Sequence, residues 1–298
     1  PSSGKNIRGA VLIGGRYYQG QTTANQGIAT DGNDADFTYQ NPNDLEGSSY
    51  TYPSQNASVF AENILFLGEK LTLNAGLRFE HINSGSSGYY KQYLIHPVNF
   101  DTLDIYTRTD SNVVSRQVPL FGGGLSYTVS KRSKVYANFT QNYRAINFTD
   151  IRVNNPNVVV DSTMRDEYGY TAELGFRGMK NDFWIYDIAA FYVFYGDKIG
   201  LAPKPGTILK ERTNIGDARN VGVEIFSEFD FIKALTDSSE HSLSLFVNAA
   251  YIDARYIRSK EPNFEGKQVE YVSPIILKSG LRYRYKSWSF QVQGSYNS

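Results

Sequence analysis

The sequence predicts an all-β protein, and more specifically an antiparallel up-and-down transmembrane β-barrel. Three observations predict it: apolar and polar residues alternate in segment after segment, short and long connections alternate between these segments, and the apolar faces carry no formal charge through their middles. The stretch 71–81 illustrates the first observation. Its apolar parity holds Leu71, Leu73, Ala75, Leu77, Phe79 and His81, and its polar parity holds Thr72, Asn74, Gly76, Arg78 and Glu80. A period of two residues is that of an extended strand with two different faces.

Eleven strands are predicted from this alternation and from the residues that interrupt it. They lie near residues 7–19, 57–67, 71–83, 117–129, 134–144, 168–178, 183–195, 217–231, 241–256, 273–285 and 288–297. At about 3.3 Å per residue and a tilt near 40°, a strand of eleven residues rises roughly 27 Å, which is close to the apolar band of a membrane barrel. Strands of ordinary globular proteins average about half that length.

The predicted connections fall into two classes of length. The compact ones are 68–70, 130–133, 179–182, 232–240 and 286–287, and the long ones are 20–56, 84–116, 145–167, 196–216 and 257–272. In an up-and-down meander every second connection lies at the same end. One end is therefore expected to carry tight turns and the other large loops, as in outer-membrane barrels.

The apolar faces indicate which solvent they meet. In 221–231 the charged Glu224, Glu228 and Asp230 share one parity and leave the other apolar, and a charge facing lipid at mid-depth would cost about 2–4 kcal/mol. A soluble β-sandwich would also place its charges on one face. The strand lengths, the sorted loops and the aromatic residues at strand ends favour the membrane barrel. The stretch 183–195 is apolar on both parities around Asp187, which suits an interior packed against a plug.

Composition excludes several classes of protein. The 298 residues include 30 basic and 30 acidic side chains, a balance that argues against a general nucleic-acid binder. The absence of cysteine excludes disulfide scaffolds and thiolate metal sites. No apolar run approaches the roughly 20 residues of a membrane-spanning helix, and residues 1–10 lack the pattern of a signal peptide.

Five segments, taken in order, resemble one known family, the TonB-dependent outer-membrane receptors, and among them the ferric-citrate type. They are SVFAENILFLGEKLTLNAGLRFEHI (58–82), LSYTVSKRSKVYANFTQNYRAINFTDI (125–151), DEYGYTAELGFRG (166–178), NIGDARNVGVEIFSEFDF (214–231) and GKQVEYVSPIILKSGLRYRYKSWSFQVQGSYNS (266–298). The resemblance covers nearly the whole chain, and its specificity lies in the ordered set. Ala145 and Ile146 depart from it, since the family often has proline there.

The resemblance implies a 22-stranded barrel, filled by an N-terminal plug, in the outer membrane of a Gram-negative-type cell envelope. Residues 1–298 would form about half of that barrel, its middle-to-late strands, with the plug and the last strands absent. The expected function is the uptake of iron chelates, either ferric citrate or another siderophore, with energy derived from TonB. The expected partners are the plug and remaining strands of the same receptor, the TonB complex through the plug, a ferric chelate and outer-membrane lipid, but no nucleic acid.

Catalytic chemistry finds little support in the sequence. His81, His96 and His241 have no partner at metal-ligand spacing, and no nucleophile elbow, phosphate loop or dinucleotide fingerprint is present. Asp31, Asp34 and Asp36 suggest calcium but lack the remaining ligands of an EF-hand. We therefore expect no enzyme activity, no metal site and no cofactor, with iron present only as part of a cargo.

The candidate ligand-binding residues are basic and aromatic side chains where strands enter the long loops: Tyr143, Arg144, Phe148, Arg152, Arg165, Arg212 and Arg219. Guanidinium groups match carboxylate-bearing chelates because they donate two parallel hydrogen bonds. The alternative is that these arginines pair with acidic residues of the wall or of a plug. Two other functions remain open, a passive porin or adhesin-type barrel and a soluble carbohydrate-binding β-repeat protein.

Overall fold

Eleven strands form one continuous antiparallel meander in the computed structural model, which describes residues 7–32, 38–96, 99, 101–151, 157–236, 240–260 and 262–298. A twelfth, short strand lies beside them. The strands are β1 (Ile7–Gln26), β2 (Ser48–Leu67), β3 (Leu71–Ile95), β4 (Thr102–Ser130), β5 (Ser133–Arg144), β6 (Val158–Val160), β7 (Glu167–Lys180), β8 (Trp184–Pro203), β9 (Lys210–Asp230), β10 (His241–Ser259), β11 (Ile275–Tyr285) and β12 (Trp288–Asn297). All eleven predicted strands are confirmed, and the sheet order is the order of the chain.

The remaining elements are short. They are the helices α1 (Phe148–Ile151) and α2 (Phe231–Leu235) and a 3₁₀ turn at Pro262–Phe264. Neither helix of the described ranges is long and apolar enough to cross a bilayer. Strand β6 pairs in parallel with the start of β9, Val158 opposite Lys210 and Val160 opposite Arg212, and is attached to the meander by that contact.

The two faces of the sheet differ as the alternation predicts. On the apolar face the large side chains remain exposed, including Ile13 (77%), Leu77 (65%) and Val292 (78%). An apolar surface that runs across a whole sheet is far larger than a soluble monomer exposes, and it suits contact with lipid. A small cluster of buried apolar residues lies near the long-loop end, where Tyr256 packs with Ala218, Ala254 and Val269.

Aromatic pairs flank the apolar band on strand β8. Trp184 and Tyr186 lie 5.1 Å apart by ring centroids near the tight turns, and Phe194 lies 5.4 Å from Tyr170 near the long loops. The ten residue steps from Trp184 to Phe194 rise about 25 Å at the usual tilt, which matches the height of a barrel's apolar band. The aromatic residues therefore sit where the two membrane–water interfaces are expected.

The predicted connections are too long, because several strands continue beyond the band. The stretch 84–116, predicted as a loop, is mostly strand: β3 runs to Ile95 and β4 begins at Thr102. The stretch 196–216 is likewise shortened to six residues between Pro203 and Lys210. Outside lipid neither face of a hairpin needs to be apolar, so the alternation fades while the backbone pairing persists. The strict alternation of short and long connections is therefore wrong, whereas the two ends remain distinct.

Asp187, the charged residue within an apolar stretch, lies on the polar face and has a partner. Tyr136 Oη donates to Asp187 Oδ1 (3.1 Å) and to Glu173 Oε1 (2.9 Å). A Cβ at Gly175 would collide with the Tyr136 ring, so the glycine makes room for this tyrosine across the strand pair. The expected packing of this face against a plug stays a prediction.

Candidate ligand-binding site

A cavity of about 850 Å³ lies on the polar face of the sheet, at the end where the long connections gather. One wall is the extended β3–β4 hairpin, which contributes Ser86, Asp110 and Asn112. The other wall is the β5–β7 loop (residues 145–166), which contributes Ile146, β6 and Met164. Tyr50 and Tyr90 also line it. The cavity exists because β3 and β4 remain paired above the band and so face the loop.

The β5–β7 loop is held at both flanks of the cavity. In its first part the Phe148 ring lies 5.6 Å from the Tyr52 ring of β2, and in its second part β6 pairs with β9. Arg212 on β9 joins the two parts, since its Nη1 donates to the carbonyl oxygen of Thr149. Two of the candidate ligand residues, Phe148 and Arg212, thus make contacts that position the loop.

Asp166 is the centre of the contacts beneath the loop. Its Oδ2 accepts from Arg116 Nε (2.5 Å) and from Tyr143 Oη, and its Oδ1 accepts from the backbone amide of Ile146 (2.7 Å). Arg116 also donates to Ser84 Oγ (3.0 Å). The candidate Tyr143 is therefore brought to the cavity edge, with its hydroxyl engaged by this carboxylate.

Arg144 bridges the end of β5 to α1 and β7. Its Nη2 donates to both carboxylate oxygens of Asp150 (2.9 and 3.1 Å), and its Nη1 lies 3.3 Å from Glu167 Oε1. Asp150 Oδ2 also accepts from the Asn147 amide (3.0 Å), so the carboxylate orders the start of the loop.

Arg165 is the most exposed of the paired candidate arginines. Its Nη2 donates to Asp197 Oδ1 (2.7 Å), yet its side chain is 68% exposed. The backbone around it is fixed by Asn214, whose side chain accepts from the Arg165 amide (2.7 Å) and donates to the Arg165 carbonyl (2.8 Å). Asp197 is itself held in place by Asp217, because the Asp197 backbone amide donates to Asp217 Oδ1 (3.0 Å).

Asp161 fixes the second part of the loop to β9. Thr163 donates to it from its amide (2.8 Å) and its hydroxyl (2.6 Å), and the Thr213 hydroxyl donates to its other oxygen (2.6 Å). Those hydrogen bonds, from Thr163 first and then Thr213, lower the pKa of Asp161 from 3.8 to about 2. The carboxylate is therefore charged over the whole physiological range.

Arg219 lies on the other face of the sheet. It is directly opposite Phe194 on β8 and Arg255 on β10, and its parity is that of Val221, Val223 and Ile225 on the outward side. The structure thus does not bring Arg219 to the cavity. Arg152, Asp34 and Asp36 lie outside the described residues.

The other candidates from the sequence have local partners. His81 Nε2 shares a hydrogen bond with Asn83 (3.2 Å), and His241 Nδ1 shares one with Tyr283 Oη (2.7 Å). Within the described ranges, no three metal-ligating side chains come together.

Sequence reasoning missed the acidic half of the site. Asp197 holds the candidate Arg165, and Asp161 and Asp166 hold the loop to β9 and to Arg116 in the cavity wall. Asp217 pairs with Arg258 beside them. A signal was present, because Asp161 and Asp166 flank Arg165 closely in the sequence. Only the basic residues match an anionic chelate by charge, so these carboxylates do not stand out as ligand residues in the sequence.

Residues 3–298 match the family described as TonB dependent receptor-like, beta-barrel. The chain belongs to this family. A TonB-dependent receptor is a receptor and transporter of the Gram-negative outer membrane, not an enzyme, so the predicted class, location and lack of enzyme activity are confirmed. Comparison with curated protein sequences gives no match.

Solved structures of TonB-dependent receptors have the same fold. The ferric-catecholate import receptor Fiu from K12 E. coli aligns with a TM-score of 0.68 and 14% identity over 98% of this chain and 42% of its own. The ferric citrate transporter FecA aligns with a TM-score of 0.67 and 17% identity over 98% of this chain and 39% of its own. The siderophore receptor PiuA from Acinetobacter baumannii aligns with a TM-score of 0.67 and 12% identity over 100% of this chain and 44% of its own. The chain therefore spans less than half the length of these receptors.

Proposed function

We propose that the receptor to which this chain contributes barrel wall and loops takes up a ferric chelate, ferric citrate or another siderophore, with energy from TonB. The observation that carries the proposal is the cavity of about 850 Å³ beneath the β5–β7 loop, which places Arg165 and tyrosine rings on one concave surface. Its volume lies within the range of about 300–1,000 Å³ that small-molecule sites occupy.

Arg165 is the residue best placed to contact an anionic cargo. Asp197 engages one of its nitrogens, and most of its side chain faces solvent. An arginine has five N–H donors, so a guanidinium held in this way can still donate to a carboxylate or catecholate oxygen. Tyr50 and Tyr90 add flat, amphipathic surfaces to the lining of the same cavity.

The other candidates support the site in different ways. We propose that Arg144, Tyr143, Phe148 and Arg212 position the loop, since each is engaged by the loop or its anchors. The alternative stated from the sequence, arginines paired with wall carboxylates, thus applies to Arg144 and in part to Arg165. A positioning residue still affects uptake, because the loop forms one cavity wall.

The cargo itself has to be found by experiment. The receptors of similar fold are named for ferric catecholates, ferric citrate and, in the case of OprC, copper. One fold thus serves several cargoes, and the side chains of the cavity decide between them. The plug, the remaining strands and the TonB complex are proposed partners on the same basis.

The experiment compares a deletion strain with its parent on a panel of iron sources, with uptake of each labelled chelate measured. Growth and uptake on at least one ferric chelate should depend on the gene and should stop when the proton gradient is dissipated. If no chelate depends on the gene, the iron assignment is wrong. Uptake that persists without the gradient would instead support a passive porin.

A further inference from the structure

Two arginines face each other on the outward face of the sheet, near the long-loop end. Arg219 of β9 and Arg255 of β10 are directly opposite in the antiparallel register. Asp253 lies between them: its Oδ2 accepts from Arg219 Nη2 (3.4 Å) and its Oδ1 from Arg255 Nε (2.7 Å). Arg255 Nη1 also donates to the carbonyl oxygen of Gly266 (3.1 Å).

The position of this group relative to the membrane follows from the register. Along the outward face, the cross-strand pairs Ile225–Ala249 and Val223–Tyr251 lead to Val221–Asp253 and then to Arg219–Arg255. From Phe229, near the tight turns, to Arg219 is a rise of about 25 Å at the usual tilt, so the arginines lie where the apolar band ends. That is the level of lipid headgroups.

The charges of the group do not balance. Two guanidinium groups share one carboxylate, and like charges directly opposite each other on paired strands repel. All three side chains reach solvent, Arg219 at 33%, Asp253 at 31% and Arg255 at 51%. Of the ten N–H donors that two arginines carry, the hydrogen bonds within the described part of the chain use three.

We propose that Arg219 and Arg255 bind the phosphate group of an outer-leaflet glycolipid. A phosphate accepts paired hydrogen bonds from guanidinium forks and would offset the repulsion between these two. Below them, beyond the Val221–Asp253 pair, Val223 and Tyr251 are exposed and lie where the acyl chains of such a lipid would run. The phosphate and the chains of one lipid molecule are thus matched by adjacent surfaces of the barrel.

This site is separate from the uptake cavity, and the inference does not depend on the proposed cargo. The cations of the neighbouring strand β11 lie on the opposite face: Arg282 is paired in register with Ser244 and Gln291, and its Nη1 lies 3.7 Å from Glu228. Lys278 shares that face. These two residues therefore provide a control of equal charge that cannot touch outer-leaflet lipid.

The test measures binding of a bisphosphorylated lipid A to the full-length receptor in an uncharged detergent, by native mass spectrometry. The comparison ligands are the dephosphorylated form of the same glycolipid and inorganic phosphate alone. The receptor should hold the phosphorylated lipid about tenfold more tightly than the dephosphorylated one. R219Q/R255Q should abolish that preference, R219K/R255K should keep part of it, and K278Q/R282Q should leave it unchanged.

Every other outcome overturns the proposal. Equal binding of the two lipids would mean that the phosphate is not recognised. An equal loss in K278Q/R282Q would mean that net charge, not this site, attracts the lipid. Inorganic phosphate that competes as well as the whole lipid would assign the site to a free anion. Should R219Q/R255Q fail to fold, the single variants R219Q and R255Q are compared in the same way. Each should lower the preference for the phosphorylated lipid about threefold.

Discussion

Arg116 of β4 and Asp166, the residue before β7, form an ion pair of 2.5 Å between two strands that are not neighbours in the sheet. Strand β5 lies between them, but β4 and β5 stop pairing at Gly122 and Thr140. Above this point, where β5 is no longer paired with β4, the ion pair connects β4 to the start of β7. Both side chains are largely buried, so the pair joins the wall of the cavity to the loop that covers it.

Replacing Arg116 by alanine should therefore destabilise the protein markedly. Asp166 would remain as a largely buried carboxylate without its cation, a loss of about 3 kcal/mol in the free energy of unfolding. Urea unfolding followed by tryptophan fluorescence measures it. The matched control is Lys204→Ala, which breaks the more exposed Lys204–Glu211 pair and should cost less than about 1 kcal/mol. Similar losses in the two variants would contradict the role of the Arg116–Asp166 pair.

Gly175 and Gly294 should respond differently to the same substitution. A Cβ at Gly175 meets the ring of Tyr136, which cannot easily move because it donates to Glu173 and Asp187 and stacks beneath Arg177 at 4.2 Å. A Cβ at Gly294 meets nothing within 4 Å. Gly175→Ala should lower the free energy of unfolding by about 1–3 kcal/mol, and Gly294→Ala by much less. The urea unfolding midpoints of the two variants test this prediction, and the midpoint of Gly175→Ala should be the lower one.

Arg144→Ala should weaken chelate uptake more than Lys278→Ala. The first releases Asp150 and Glu167 and loosens the start of the β5–β7 loop, whereas Lys278 lies on the polar face of β11, away from the cavity lining. We expect a loss of about tenfold in the first and less than about twofold in the second, as initial rates of labelled chelate uptake. Equal effects would count against a site at the loop entry.

The contacts of Asp161 should survive mild acid. Because its pKa in the folded protein is lowered from 3.8 to about 2, its contribution to stability is present above about pH 4 and is lost as the pH falls toward 2. Hydrogen exchange at the Thr163 amide, corrected for the intrinsic rate, should stay protected from pH 7 to pH 4. Asp161→Asn should reduce that protection throughout. Loss of protection already at pH 5 in the unaltered protein would disagree with the lowered pKa.

The sequence was sufficient for the strands that cross the membrane. There the alternation is strict because one face meets lipid and the other does not, so residues 71–81 reveal both their conformation and their faces. Above the apolar band neither face of a strand meets lipid, so apolar and polar residues need not alternate. Tyr90 and Arg108 are paired there, but the sequence around them shows no period of two. That is why the β3–β4 hairpin was predicted as a loop.

The candidate site was less predictable, since its contacts join residues far apart in the chain. Arg116 and Asp166 are fifty residues apart, and nothing local indicates that they meet. The face of Arg219, by contrast, could have been predicted. It shares the parity of Val221 and Val223, so the alternation used elsewhere places it outward.

The length of the β3–β4 hairpin has a mechanical consequence. Strand β4 extends fourteen residues beyond Arg116 to Thr102, about 46 Å of extended chain, with β3 as its sheet neighbour among the described strands. The β3 edge of this hairpin is supported almost to the tip, because β2 pairs with β3 as far as Ser48 opposite Tyr90 and Tyr93 Oη donates to the carbonyl oxygen of Glu46. Its β4 edge has the ion pair from Arg116 to Asp166 as its brace. A push on the tip of the hairpin would therefore be carried along β4 to the cavity wall at Arg116.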